Sequence, residues 1–486
     1  MSNCSKEMSF EECELTIIRN AVDEAEKRNS KEIINNPQIN NIIKIVEEFL
    51  KNKKLICYGG TAINNILPKK AQFYDRSLEL PDYDFYSPNP ISDAKELADI
   101  YFKNGFIDIE AKAGVHHGTY KVFVNFMPIA DITYINPDLF NSIKKDSIKI
   151  DNIFYAPVNF LRMSMYLELS RPNGDVSRWE KVLKRLSLLN KYYPLKGDNC
   201  KNIKIQRPFE SNLSKSNIFK NIIDIVSQKN AVLFGGYANI LYSKYMPKKN
   251  KKKFVKDPDF DILSENPDEL SMQIKEKLEN ENFTNVKIYF HEGIGEIISP
   301  HYEIMIARDT IAFIYEPLAC HSYNIIEIDN KKLRIATIDT MLSFYLAFLY
   351  ANRSYYDVNR IFCMSQYLFE VQQHNRLKQD ELLKRFSMTC YGKQKTIIKL
   401  KEEKAEKYKE LKNNINSKEY EEWFLKYEPG SKKNNEKKGT ITPDVLKFLK
   451  NTKKRIKINN KTNKTKRKNK KNHKKHHKKT NRKSEK

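Results

Sequence analysis

Two distant stretches of this chain repeat one pattern. LICYGGTAINN begins at Leu55 and AVLFGGYANIL at Ala231, and each sets a Gly-Gly pair directly after a short apolar run. The chain holds only 14 glycines in 486 residues, and its only two Gly-Gly pairs fall in these matched contexts, so chance is a poor explanation. The likeness continues downstream. Leu67-Pro68-Lys69-Lys70 has its counterpart in Met246-Pro247-Lys248-Lys249, and Pro81-Asp82-Tyr83-Asp84-Phe85 in Pro258-Asp259-Phe260-Asp261-Ile262. The strand-like YKVFVNFMPIADITY from Tyr120 aligns with YEIMIARDTIAFIYE from Tyr302, and DVSRWEKVLKRL from Asp175 with DVNRIFCMSQYL from Asp357. A unit of this length, repeated once, predicts two similar domains in tandem. Short apolar runs alternating with helical periodicity make each an α/β (α+β) unit, with a mixed sheet and flanking helices.

The chemistry concentrates between Leu55 and Phe85. A buried strand, Leu55 to Tyr58, leads through Gly59-Gly60 into a helix start at Thr61. A Gly-Gly turn at a helix start leaves backbone N–H groups free to approach phosphates closely. Asp82 and Asp84 follow at strand spacing, so both carboxylates can point the same way. Two carboxylates aimed at one point repel unless a cation sits between them. Asp131, in the apolar strand Ile129 to Ile135, would be costly if buried unpaired. Asp82, Asp84 and Asp131 are therefore expected to converge on divalent metal. Gly59, Gly60 and Thr61 are expected to cradle phosphates, and Arg178 and Lys181 on the following basic helix to counter their charge.

The second copy keeps the frame and the acidic pair but not the rest. Phe313 aligns with Asp131, Cys363 with Lys181, Gln366 with Lys184 and Tyr367 with Arg185. A slipped register would instead bring Asp309 or Glu316 to the third carboxylate position. The first copy is expected to be catalytic and the second degenerate, kept for packing or RNA contact.

A net charge of +26 favours a polyanionic partner. Seven scattered cysteines without a CxxC pair fit a reducing compartment and no structural zinc. No apolar N-terminal stretch precedes a cleavage-like site, so no signal peptide is expected. No apolar run is long enough to span a bilayer, so no membrane partner is expected. The tail after Thr452 carries 18 Lys and Arg against one Glu, which predicts disorder and salt-sensitive phosphate binding; a nuclear-type localisation signal is the other reading of those charges. The expected organisation is an N-terminal helical segment 1–36, a catalytic unit 37–200, a degenerate unit 201–375, a charged helical region 376–430 with a mixed Lys/Glu pattern, and a disordered Lys-rich tail 431–486 with a short helix from Pro443 to Asn451. No GxxxxGK[ST] is present, which argues against a P-loop enzyme.

With these residues placed, the chain resembles the poly(A) polymerase catalytic subunits of poxviruses and related large DNA viruses, most closely the giant-virus (mimivirus-like) type. The resemblance rests on LICYGGTAINN, PDYDF, the ADIT strand and LRMSMYLELSRPNGDVSRWEKVLKRL, and covers about residues 40–370. The Gly-Gly, Asp-x-Asp and distant-Asp pattern is similar to that of the wider nucleotidyltransferase superfamily. The resemblance implies two tandem nucleotidyltransferase-like domains and template-independent transfer of AMP from ATP to an mRNA 3′ end. It further implies two Mg²⁺ or Mn²⁺ ions, an RNA partner, a viral processivity subunit or a homodimer, and action in the host cytoplasm (viral factory) and the virion. The residues alone leave open a non-catalytic RNA-binding scaffold, or a uridylyl or CCA-type terminal transferase.

Overall fold

The computed structural model describes residues 4–431 apart from 6, 35, 75–80, 198–199, 201–202, 204, 206, 208–214, 249–258 and 296. The basic tail and the helix expected from Pro443 to Asn451 lie outside the described residues, as do Lys249 and Pro258 of the repeat.

The first copy is built from seven strands: β1 (Ile56–Tyr58), β2 (Tyr83–Ser87), β3 (Ile109–Ala113), β4 (Thr119–Val124), β5 (Met127–Tyr134), β6 (Ile148–Ile150) and β7 (Ile153–Tyr155). The second is built from β8 (Val232–Phe234), β9 (Phe260–Leu263), β10 (Val286–His291), β11 (His301–Ile306), β12 (Asp309–Tyr315), β13 (His321–Ile328) and β14 (Lys331–Ala336). Two short strands complete the sheets, β15 (Cys390–Tyr391) and β16 (Lys426–Tyr427). The first sheet runs β16-β3-β4-β5-β2-β1-β7-β6 and the second β10-β11-β12-β9-β8-β14-β13-β15. Without the two added strands the orders are the same, position for position. Each copy also has the same mixture of senses: β1–β2 and β8–β9 are antiparallel, and β2–β5 and β9–β12 are parallel.

The helices are α1 (Phe10–Ile34), α2 (Pro37–Lys53), α3 (Gly59–Ile66), α4 (Pro90–Lys103), α5 (Pro137–Lys145), α6 (Val158–Leu169), α7 (Trp179–Tyr192), α8 (Lys215–Gln228), α9 (Gly235–Ser243), α10 (Pro267–Asn280), α11 (Ile338–Phe348), α12 (Val358–His374), α13 (Ile397–Leu411) and α14 (Lys418–Phe424). Helix α1 opens on a capping box, with Ser9 N donating to Glu12 Oε2 (2.8 Å) and Glu12 N to Ser9 Oγ (3.3 Å). Helix α2 shows why a helix precedes β1. Pro37 stands where a missing N–H costs nothing, and the Asn36 side chain accepts from Gln38 N (2.9 Å). Ile39, Ile42, Ile45, Val46, Phe49 and Leu50 then form one buried stripe. The stripe and α4 cover one sheet face: Tyr83 points that way, donating to Glu47 Oε1 (2.5 Å), and Tyr101 of α4 donates to the Ile42 carbonyl (2.8 Å). Residues of β2 alternate across the sheet, so Asp84 and Tyr86 occupy the opposite face.

The copies meet through α6 and α11, which pack together. Ser322 N donates to the Ser170 carbonyl (2.8 Å), and Phe160 lies edge-on to Tyr350 (5.4 Å). Two expectations change here. Region 376–430 does contain charged helices, but it also lends β15 to the outer edge of one sheet and β16 to the outer edge of the other. A paired edge is satisfied, whereas an open one is a template for unwanted pairing. The cysteines were expected as thiols; instead Cys4–Cys13, Cys200–Cys363 and Cys320–Cys390 are joined, at Cα separations of 5.2, 5.1 and 5.1 Å, and Cys57 is free and buried. Spacing along the chain carried no hint of these pairs, because the fold brings together residues up to 163 positions apart.

Candidate active site

One row of residues crosses the open face of the first sheet. Tyr58 of β1 lies opposite Asp84 of β2, Asp84 opposite Asp131 of β5, Asp131 opposite Lys121 of β4, Lys121 opposite Lys112 of β3, and Lys112 opposite Lys426 of β16. Directly opposed residues share a face. Asp82 enters the same face from the residue just before β2. Tyr58 stacks on Tyr86 (3.9 Å between ring centroids) and shares a hydrogen bond with Thr133 (2.8 Å), which braces this face beside the acids.

The Gly-Gly turn is tied directly to the acids. Gly59 has φ +71°, and a Cβ there would stand 2.3 Å from Asp84 Oδ2. Glycine is thus required twice, for the backbone angle and for the approach of the carboxylate. At Gly60 a Cβ would meet the ends of Tyr74 (2.5 Å) and Arg185 (2.9 Å) instead. Arg185 Nη2 donates to the Tyr74 hydroxyl (2.5 Å), and its guanidinium lies over the rings of Phe73 (5.1 Å) and Tyr74 (5.7 Å). Thr61 takes another role than the one expected. Its hydroxyl donates to the Asp82 carbonyl (2.6 Å), so its one proton is committed to holding the acidic strand against α3.

The electrostatics are those of crowded anions. Burial first, then Asp82 and Asp131, push the Asp84 carboxyl up to about 7, with Lys121 and Arg178 opposing. Burial and Asp131 raise Asp82, with Lys121 and Lys181 opposing. Lys181 and Arg178 therefore lie near enough to the acids to act on their charge. Arg178 also pairs with Glu168 (3.3 Å). Asp131 is not unpaired: its Oδ2 is bound by the Lys121 ammonium. Among the described residues no three carboxylate, imidazole or thiol groups already stand as a metal cage. The donor set nevertheless fits a hard divalent cation, being all carboxylate oxygen and short of positive charge.

Sequence reasoning missed Lys121, Lys112 and Lys426. Lys121 could not be counted from the turn. The hairpin turn at Asn125 and Phe126 pairs Val124 with Met127, but a bulge at Val122/Phe123 shifts the register so that Lys121, not Tyr120, meets Asp131.

The second copy repeats the geometry with other chemistry. Its row reads Phe234, Asp261, Phe313, Glu303 and Tyr289. Phe313 occupies the place of Asp131, as the alignment predicted; Asp309 lies at the start of β12, opposite Ile306, so it does not replace the missing carboxylate. Gly235 has φ +70° and lies against Asp261 just as Gly59 lies against Asp84. Here a mostly buried arginine, Arg207, sits among the acids, with Nε 3.2 Å from Asp259 Oδ2, Nη2 3.4 Å from Asp261 Oδ1, and Cζ 4.5 Å from the Phe313 ring centre. Burial works against its charge, but Asp259 and Asp261 outweigh that and hold its pKa above the ordinary value.

Residues 44–175 match the family model described as poly(A) polymerase catalytic subunit. That span contains Gly59, Gly60, Thr61, Asp82, Asp84 and Asp131 and stops short of Arg178 and Lys181. A protein of African swine fever virus (strain Badajoz 1971 Vero-adapted), named as a candidate poly(A) polymerase catalytic subunit, is 35% identical over 177 residues, which is 35% of this chain and 36% of the relative. A protein of the same name from Acanthamoeba polyphaga mimivirus is 34% identical over 174 residues, 35% of this chain and 29% of the relative. These matches span about a third of each relative's length. The Megavirus polyadenylate synthase shares the fold, with a TM-score of 0.69 at 19% identity over 84% of this chain and 85% of that one.

Proposed function

We propose that this chain is a template-independent polynucleotide adenylyltransferase that extends RNA 3′ ends with AMP from ATP. One observation carries the reading: the three carboxylates share a face beside a phosphate-compatible Gly-Gly helix start, and they do so only in the copy that matches the family model. In the reaction the RNA 3′-oxygen bonds to the α-phosphorus of ATP, the bond from that phosphorus to the bridging oxygen breaks, pyrophosphate leaves, and the hydroxyl proton passes to solvent. Two divalent ions, Mg²⁺ or Mn²⁺, when bound would lower the pKa of the attacking hydroxyl and neutralise charge on the leaving group. Asp82 and Asp84 would hold the ion at the triphosphate, and with Asp131 the ion at the 3′-oxygen. For that, Asp131 exchanges its Lys121 partner. The backbone N–H groups of Gly59 and Gly60, with Thr61 holding the acidic strand in place, receive the phosphates. Arg178 and Lys181 counter their charge, joined by Arg185, which lies against Gly60.

The RNA strand fits the cationic end of the row. Lys121, Lys112 and Lys426 run outward from Asp131 over three strand spacings, roughly 14 Å. Lys112 and Lys426 are paired with Glu110 (2.7 Å) and Glu428 (3.1 Å). Exposed pairs of this kind hold by about 0–1 kcal/mol, so phosphates can take the carboxylates' place at little cost. The relatives' names as catalytic subunits support a partner, either a processivity subunit or a second copy of this chain. Their viral sources support action in an infected cell.

Primer extension on one oligonucleotide with ATP, UTP, CTP or GTP and Mg²⁺ or Mn²⁺ tests the reading. Long ATP-dependent products are expected from the parent and none from Asp82→Asn. Preferred use of UTP or CTP would move the substrate class, and RNA binding without incorporation would leave a scaffold.

A further inference from the structure

Gly197, Cys200, Ile205 and Arg207, between α7 and α8, touch the second copy at points that align with the basic helix face and the acidic pair of the first. Arg360, which aligns with Arg178, donates from Nη1 to the Ile205 carbonyl (3.1 Å). Cys363, which aligns with Lys181, is joined to Cys200. Gln366, which aligns with Lys184, accepts from Gly197 N (2.8 Å). Arg207 then enters the acidic pair and lies over Phe313. Leu195, Cys200 and Ile205 are buried along this path, and a Cβ on Gly197 would stand 3.0 Å from the Phe362 ring. In the first copy Lys181 and Lys184 on the equivalent helix face are exposed.

We infer that Gly197, Cys200, Ile205 and Arg207 are internal occupants of the second copy's counterpart of the substrate site, with the Arg207 guanidinium standing where the first copy would hold a divalent cation. The chemistry favours the substitution. Asp259 is fully buried and Asp261 nearly so, and two carboxylates out of water require a cation. Asp131 gave a divalent ion a third ligand; Phe313 offers instead a ring face, which suits a planar guanidinium and not a metal. The second copy is thereby closed to both nucleotide and metal. The same segment leaves the first copy at the end of α7, where the Tyr193 hydroxyl donates to the Ile66 carbonyl and Arg162 to the Tyr193 carbonyl.

The inference rests on reading the first copy as the cation-binding one, and its test needs no polymerase activity. The full chain is prepared with Asp82→Asn and Asp84→Asn, and Mn²⁺ binding is counted by electron paramagnetic resonance beside thermal unfolding. This parent should bind no Mn²⁺ that depends on Asp259. Adding Arg207→Ala should lower the unfolding midpoint by about 5–10 °C, create one Mn²⁺ site per chain that Asp259→Asn removes, and let Mn²⁺ recover part of the midpoint. A second series uses Arg207→Met, whose loss should be largely repaired by Asp259→Asn with Asp261→Asn, since all three charges then go together. Asp259-dependent Mn²⁺ in the parent, no new site in Arg207→Ala, or a neutral triple variant no more stable than Arg207→Met would each overturn the inference.

Discussion

The two copies have the same strand order, the same glycine pressed against the second acid of the pair, and the same acidic pair, yet positive charge reaches the acids differently. In the first copy it comes from groups around the acids: Lys121 on a neighbouring strand, and Lys181 and Arg178 from beyond the sheet. In the second it comes from Arg207, set between the two acids. Surrounding cations leave the centre open for an ion and a triphosphate, whereas a guanidinium between the acids fills it. The exchange of Asp131 for Phe313 and of Lys121 for Glu303 completes the difference. Glu303 is engaged by local partners, His291 (2.9 Å) and Thr310 (2.6 Å). The two copies share what folds the sheet and differ in the side chains around the acidic pair.

The sharpest way to break this comparison is to neutralise the same acid in both copies. Asp84→Asn should cut AMP incorporation by about 10³-fold while the unfolding midpoint holds or rises, because a crowded, buried anion is removed. Asp261→Asn should do the reverse, leaving kcat within a few-fold and lowering the midpoint, because Arg207 loses a partner. Equal loss of activity from both would assign catalysis to the wrong copy.

A smaller effect should separate the glycines of one turn. Gly59→Ala meets Asp84 and a left-handed backbone angle together, so incorporation should fall about 10²-fold and stability by about 1–3 kcal/mol. Gly60→Ala meets only the ends of Tyr74 and Arg185, which can move, so it should cost less in both measurements.

Acid should find the second copy first. Burial, with Arg171 nearby, holds the His321 imidazole down at about 3, and burial holds His301 at about 4. The unfolded chain protonates these rings near 6.5, so below that pH it binds more protons than the folded one. The stability they support is present above about pH 6.5 and is lost as pH falls toward their folded values. At pH 5 the loss at His321 should be about 2 kcal/mol, and His321→Phe should flatten the fall of the unfolding midpoint between pH 6.5 and 4.5. An unchanged slope would place the acid sensitivity elsewhere.

The smallest effect belongs to the lysine row. Lys112→Ala and Lys426→Ala should each weaken RNA binding only a few-fold and reduce the slope of log K against log salt by about 1. Lys287→Ala on β10 of the second copy should leave that slope unchanged.

Much of this molecule is written in its local chemistry. The two Gly-Gly turns, the spacing of Asp82 and Asp84, the apolar stripe of α2 and the pairing of Asp131 with Phe313 in alignment are all short-range patterns, each with a direct physical reading. Period-two and period-3.6 repeats depend only on neighbours in sequence, so the frame of both copies could be read before any coordinates. The partners of the acids could not. Lys121 faces Asp131 because one bulge shifts a hairpin, Lys426 joins the row because a strand near residue 426 returns to the edge of a sheet begun near residue 56, and Arg207 reaches Asp259 from a connecting segment with no periodicity at all. A charge is neutralised by whatever the fold brings within a few ångströms, and closeness in space between distant residues is a property of the packed chain alone.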